Sequence, residues 1–182
     1  VDESVEHPER YNEFNFEKAK IFLDICFKNN LKKIIFSSTA SVYGNPKKLN
    51  VSEEDDLNPL NPYAETKLKL ENYLINKSKS AGVRYIILRY FNVCGASKSN
   101  RYGQINSYDL LFKNLAKAAL KKKPIVNIYG NDYKTKDGTC VRDFIHVADI
   151  TDIHIKVLKR INHLNKSVLL NCGYGKGLTV MQ

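Results

Sequence analysis

Two short apolar runs with one helical stretch between them constrain this chain more than any other feature. Lys33-Ile34-Ile35-Phe36-Ser37 and Val83 to Leu88 have the β-branched composition of strands buried on both faces. Between them residues 63 to 79 set Leu68, Leu70, Tyr73 and Leu74 at helical spacing, with Asn61-Pro62 at the entry and Gly82 at the exit, the usual places for an X-Pro start and a glycine stop. Strand, helix and strand in that order make a βαβ unit. The same reading gives a helix over 14 to 28 on a stripe of Phe14, Ala19, Phe22, Leu23, Cys26 and Phe27. Further on it gives a loop from Asn92 to Asn106, a helix ending in Lys121-Lys122-Lys123, a strand at Ile125 to Tyr129 and a loop to Asp143. A helix over Val147 to Ile161 and a strand at Val168 to Asn171 close the series. Helices alternating with parallel-type strands predict a doubly wound α/β sheet, which keeps its ligands at the carboxyl ends of the strands.

The 182 residues, 43% of them hydrophobic, suffice for one ordinary domain with a packed core. No stretch approaches the roughly 18 to 20 apolar residues of a membrane span. Net charge is +10, which raises the question of nucleic acid. Of the 29 basic residues, however, 23 are Lys scattered over nearly every segment, the distribution of a solvated surface, and no nucleic-acid partner is expected. Cys26, Cys94, Cys140 and Cys172 match no CxxC pattern, so reduced thiols in a cytoplasmic protein are expected and no metal site. The start, Val1-Asp2-Glu3-Ser4, has neither an initiator Met nor a basic or apolar leader, and it reads as mid-protein.

Chemistry concentrates at the ends of the two strands. The first opens into Ser37-Ser38-Thr39-Ala40-Ser41-Val42-Tyr43-Gly44, whose hydroxyls suit either catalytic donors or loop-satisfying side chains. Tyr63-Ala64-Glu65-Thr66-Lys67 puts a phenol and an ammonium on one helix face, and a nearby ammonium favours the phenolate, hence a general base. The spacing alone is weak: with 11 Tyr and 23 Lys, about 1.4 such pairs arise by chance. Three occur, Tyr43/Lys47, Tyr63/Lys67 and Tyr73/Lys77. The first contains Gly44 and Pro46 and the third lies away from the strand ends, so only Tyr63/Lys67 opens a helix beside them. Leu88-Arg89-Tyr90-Phe91-Asn92-Val93-Cys94-Gly95 and the segment from Asp137 to His146 are also polar beyond structural need. Arg142 there suits a diphosphate clamp or an ion pair with Asp143 equally well. His146 reads as a structural histidine.

In chain order SSTASVYG, NPYAETK, LRYFNVCG, YGNDYKTKDGTCVRDFIHVADI and NCGYGKG resemble the UDP-glucose 4-epimerases of the extended short-chain dehydrogenase/reductase family, over essentially the whole chain. The resemblance implies a partial NAD-binding, Rossmann-like domain over 1–182, with interleaved substrate-binding elements from about 93 to 146. It also implies NAD-dependent interconversion of UDP-glucose and UDP-galactose by transient oxidation at C4, in a protein that pairs as a homodimer. Carried over by motif, Tyr63 is the base for the 4-hydroxyl, Lys67 tunes that phenol and holds the nicotinamide ribose, and Thr39 bonds the sugar hydroxyl. Asn15 and Phe91 match cofactor contacts. Asn92 and Arg142 match contacts to the diphosphate, and Tyr129 matches the residue beside the uridine.

The departures are as specific as the matches. The glycine-rich turn that carries a pyrophosphate onto a helix amino terminus, and the acidic residue for the adenosine ribose, are not in this sequence. Against the family the chain therefore corresponds to the middle of a longer enzyme, active once completed. Val93 stands where many members have Pro, and Asp109-Leu110 where paired asparagines are usual. Two other readings compete: an epimerase of another nucleotide sugar, and a non-catalytic relic or basic binding module.

Overall fold

The computed structural model describes residues 2–99, 101–104 and 110–182, in two compact units. Val1–Phe91 with His154–Cys172 makes the first, and Asn92–Ile153 with Gly173–Gln182 makes the second.

The first unit is built on three parallel strands in the order β1 (Lys33–Thr39), β2 (Arg84–Tyr90) and β5 (Val168–Cys172). Lys33 lies opposite Arg84 and Thr39 opposite Tyr90, so the two expected strands pair in register along their whole length. The crossover between them is α4, Pro62–Ala81. Its start and stop are local chemistry. Asn61 caps it by accepting from the Ala64 N–H at 2.9 Å, Pro62 fills the first turn, and Gly82 leaves the helix in the left-handed region at φ 62°.

The amino-terminal part is more helical than the sequence indicates. Helices α1 (Asp2–Glu6) and α2 (Pro8–Tyr11) run into a π-helical turn over Asn12–Glu17 and then α3, Lys18–Lys28. One face of the sheet is covered where Leu23 of α3 meets Leu70 and Leu74 of α4 over Ile87 of β2, with Phe16, Ala19, Phe27, Ile34, Phe36 and Leu169 around them. Because side chains alternate along β2, Ile86, Leu88 and Tyr90 face the other way. There Tyr90 meets His154, in the second half of α6 (Val147–Arg160), edge-on at 5.7 Å between ring centroids. Helices on both faces of a parallel sheet are the doubly wound, Rossmann-like arrangement.

The second unit carries β3 (Asn92–Cys94), β4 (Val141–His146) and β6 (Gly177–Thr179) in the order β3-β4-β6, parallel between the first two and antiparallel between the last two. Helix α5, Leu111–Ala119, packs on it through Phe112, edge-on to Phe144 at 5.0 Å. Two expectations fail here. Ile125 to Tyr129 is not a strand: Ile125 is 77% and Tyr129 76% exposed. Pro124 withdraws a donor in front, and among the described residues the run has no neighbour to pair with and so no ladder to join. Conversely the polar Val141–His146 segment is the central strand of this unit, and the Lys triple falls just past the end of α5. Among the described residues no helix is long and apolar enough to cross a membrane.

Candidate active site

Strand β1 ends at Thr39, whose side chain caps the short 3-10 turn Ala40–Tyr43 by accepting from the Ser41 N–H at 3.1 Å. Gly44 follows at φ 64°, where a Cβ would sit 1.9 Å from the Asn58 carbonyl oxygen; only glycine lets the two loops pass this closely. Those constraints hold the hydroxyl-rich segment at the carboxyl end of the sheet, beside the first turns of α4.

Tyr63 lies in the first turn of α4 and Lys67 one turn on. The Thr39 hydroxyl faces the Tyr63 phenol closely enough to lower its pKa, but burial is the larger influence and holds it above the usual tyrosine value. The Lys67 Nζ donates to the Ser37 carbonyl oxygen at 3.1 Å and stands 6.0 Å from the Tyr63 ring centroid and 5.3 Å from that of Phe36. Its pKa is pulled down by burial and partly restored by Glu71, one further turn along the helix. Both groups are half-buried, desolvation acts against the charge on each, and Lys67 spends its contact on a backbone carbonyl.

Tyr11 closes the amino-terminal side, its ring edge-on to Tyr63 at 6.4 Å between centroids. The Ser37 hydroxyl is 2.6 Å from the Tyr90 hydroxyl, which in turn is 2.7 Å from Nε2 of His154. Asn15 is half-buried in the π-helical turn, and Phe91 follows β2, its N–H donating to the Cys172 carbonyl at 3.1 Å. The first unit thus brings Thr39, Tyr63 and Lys67 together.

The other singled-out residues belong to the second unit. Asn92 donates to the Asp143 carbonyl at 3.3 Å, Tyr129 stands exposed in a loop, and Arg142 projects from β4 and donates to the Val141 carbonyl at 2.8 Å. The alternative ion pair of Arg142 with Asp143 is not made. Neighbours on a strand face opposite ways, and the Asp143 carboxylate instead accepts from the N–H groups of Tyr174 and Gly175 at 3.0 and 2.7 Å. Asp109 lies outside the described residues.

What the sequence reading missed sits beneath the site. Glu71, fully buried, accepts from the Ser38 hydroxyl and takes a two-pronged contact from Arg89, Nε at 3.2 Å and Nη2 at 2.7 Å. Arg89, 2% exposed, gives its remaining prong to the Tyr43 hydroxyl at 2.8 Å, and that hydroxyl donates to Asn171 Oδ1 at 2.7 Å. The signal was present: a Glu on the apolar stripe of Leu70 and Leu74, and an Arg inside a strand otherwise read as buried, require each other.

The model of the NAD dependent epimerase/dehydratase family matches residues 1–173. The chain is 40% identical to a UDP-glucose 4-epimerase of Azospirillum brasilense, over all of this chain and 53% of that protein. Its fold superposes on the UDP-glucose 4-epimerase of Brucella ovis in complex with NAD with a TM-score of 0.93 at 35% identity, covering all of this chain and 56% of that one. The UDP-Glc/GlcNAc 4-epimerase of Campylobacter jejuni gives 0.78 at 41% identity, over all of this chain and 55% of that one. The chain therefore spans about half the length of the relatives it matches. The family model covers nearly the whole chain, and the chain belongs to the NAD dependent epimerase/dehydratase family.

Proposed function

We propose that this chain carries the proton-transfer centre of a UDP-hexose 4-epimerase, interconverting UDP-glucose and UDP-galactose with NAD as cofactor. The observation that carries the reading is the convergence of Thr39, Tyr63 and Lys67 from β1 and α4 at the carboxyl end of a parallel sheet.

The donor set fits one end of the cofactor. Among the described residues Lys67 has one hydrogen-bond acceptor, the Ser37 carbonyl, and its other N–H groups suit ribose hydroxyls beside the Tyr63 phenol. With Asn15 and Phe91 these are the residues that would hold the nicotinamide nucleoside, and no glycine-rich turn for the pyrophosphate is among the residues of this chain. Bound there, NAD supplies reversible oxidation of the C4 carbinol.

Proton movement is the work of the chain's own residues. In the forward half-reaction the ionised Tyr63 oxygen takes the proton of the 4-hydroxyl; in the return half it gives that proton back, so the phenol ends as it began. Thr39 orients the same hydroxyl and donates to the phenolate. Burial holds Tyr63 protonated in the arrangement described above, so its ionisation depends on positive charge nearby, and Lys67 is the chain's own source. Asn92 and Arg142 are assigned to the diphosphate, where the fork of Arg142 suits paired oxygens, and Tyr129 to the uracil face. The proposal includes cytoplasmic residence, supported by four free cysteines. It also includes pairing with a second copy, supported by the exposed Ile21, Phe22 and Ile25 of α3.

Replacing Tyr63 by Phe in the intact protein is expected to slow interconversion about 10²- to 10⁴-fold without loss of folded structure. Chromatographic turnover of UDP-galactose and circular dichroism measure the two. Undiminished turnover would remove Tyr63 from the mechanism, and no turnover by the unsubstituted protein would favour the non-catalytic reading. The Campylobacter relative, which acts on both UDP-Glc and UDP-GlcNAc by its name, gives substance to a second reading: an epimerase that takes the N-acetylated sugar. Turnover of the two substrates side by side separates them.

A further inference from the structure

We propose that Phe36 is a positioning residue of this site: the face of its ring holds the Lys67 ammonium at the strand end, beside the Tyr63 phenol. The inference rests on the Tyr63–Lys67 chemistry proposed above and extends it to a residue of the apolar core.

Three groups place the Lys67 Nζ. It donates to the Ser37 carbonyl at 3.1 Å, lies over the Phe36 ring at 5.3 Å from its centroid, and stands 6.0 Å from that of Tyr63. A cation within about 6 Å of a ring centroid is drawn to the negative face of the ring, and more strongly where water is excluded. Water is partly excluded here, since Lys67 is half-buried and that burial lowers its pKa. The ring itself is fixed. Phe36 lies opposite Ile87 in the β1–β2 register and packs, with Ile34, against the cluster of Leu23, Leu70, Leu74 and Ile87. Lys67, Leu70 and Leu74 follow one another at helical spacing on α4, so the ammonium sits where the apolar stripe ends, and Phe36 is the core residue that meets it. What a ring gives at this place differs from what an anion would give. A carboxylate would take up N–H donors and cancel the charge on which the ionisation of Tyr63 depends. An aromatic face attracts the charge without neutralising it and without occupying a donor, which leaves the ammonium to serve ribose hydroxyls and the phenolate. The competing account is that the Lys67 stem only lies along the core while its charge reaches outward past the ring; Phe36→Leu would then change nothing at Lys67.

The test is competitive acetylation of Lys67 against pH in the intact protein, read by mass spectrometry; it needs no ligand and no turnover. Phe36 is replaced by a ring-fluorinated phenylalanine, which keeps the shape of the side chain and weakens the negative face. The free-amine fraction of Lys67 at pH 8 should then rise about threefold to tenfold, a tenfold rise being one unit of pKa. Phe36→Leu should act in the same direction, and Phe36→Tyr, which keeps the face, should stay within about twofold of the parent. Ile87→Val disturbs the same core cluster without removing a ring and should leave Lys67 unchanged. Tyr63 and Glu71, the titratable groups one turn to either side on this face of α4, are present in every variant. An unchanged Lys67 profile in the fluorinated protein would overturn the proposal, as would a fall in free amine, the sign that the ring only keeps water away. An equal shift with Ile87→Val would overturn it as well, by making the effect one of packing. A Lys67 that responds to the ring in a protein that turns over no nucleotide sugar would keep this inference and sink the functional reading. Turnover that depends on Tyr63 with a Lys67 indifferent to the ring would do the reverse.

Discussion

In the β1–β2–β5 unit the central strand β2 buries four consecutive side chains, Ile86 to Arg89, whereas in the β3–β4–β6 unit the central strand β4 buries one, Ile145. The difference follows from what covers each sheet. β2 has the apolar stripes of α3 and α4 on one face and α6 on the other. β4 has the short helix α5, met through Phe112 on Phe144, while Leu115 and Leu120 of that segment stay exposed. Burying apolar area stabilises by about 25 cal/mol per Å², so the first unit holds most of the chain's internal stability. The second is organised by polar loop contacts instead, such as Asp137 with Thr139 and Asp143 with the Tyr174–Gly175 turn.

Substitutions break or sharpen that contrast. The largest effect is expected at Arg89: Arg89→Ala leaves the Glu71 carboxylate buried without its partner, a loss of about 3 to 5 kcal/mol. Arg142→Ala, on exposed β4 surface, should stay within about 0.5 kcal/mol. Urea unfolding of both variants measures the gap, and equal losses would dissolve the distinction between the units. Next comes packing. Leu74→Ala removes a fully buried side chain from the α3–α4–β2 cluster and should cost about 2 to 5 kcal/mol. The matching Leu115→Ala, at 41% exposure, should cost about 0.5 kcal/mol or less; a comparable loss at Leu115 would mean that α5 is covered in solution.

The smallest effect is one of pH. Tyr73 of α4 donates to the Asp24 carboxylate of α3, and burial first, then that carboxylate, push its phenol up to about 12. The unfolded phenol loses its proton near 10.0 while the folded one keeps it. This contribution is complete below that value and is lost as pH rises from there towards about 12. Absorbance titration of the phenolate, with melting followed at both ends of the window, checks it. A Tyr73→Phe variant with the same alkaline loss would show that the α3–α4 contact is not its source.

How far the sequence could be read depends on where each element finds its partners. β1, α4 and β2 were legible because their signals are local and agree: β-branched runs, an Asn-Pro entry, a Gly exit, and one apolar stripe. Ile125 to Tyr129 has the composition of a strand but, among the described residues, no neighbour to complete it. Val141–His146 has the composition of a loop and becomes a strand because β3 and β6 flank it. The π-helical turn at Asn12–Glu17 left no mark in an ordinary helical stripe. Thr39, Tyr63 and Lys67 could be singled out by spacing and context, while the Glu71–Arg89 pair beneath them joins residues 18 positions apart that no short motif links.

By itself, then, the sequence determined the βαβ unit, the strand end where the hydroxyls and the Tyr63/Lys67 pair gather, and the family to which those motifs belong, because each rests on interactions within a turn or two of chain. Only the tertiary structure decided the protonation balance. Whether Lys67 depresses Tyr63 depends on desolvation and on what each group touches, and the fold buries both, turns the ammonium toward the Ser37 carbonyl and sets Glu71 beneath it. Charge energies depend on distance and on the surrounding dielectric, and neither quantity exists until the chain has folded.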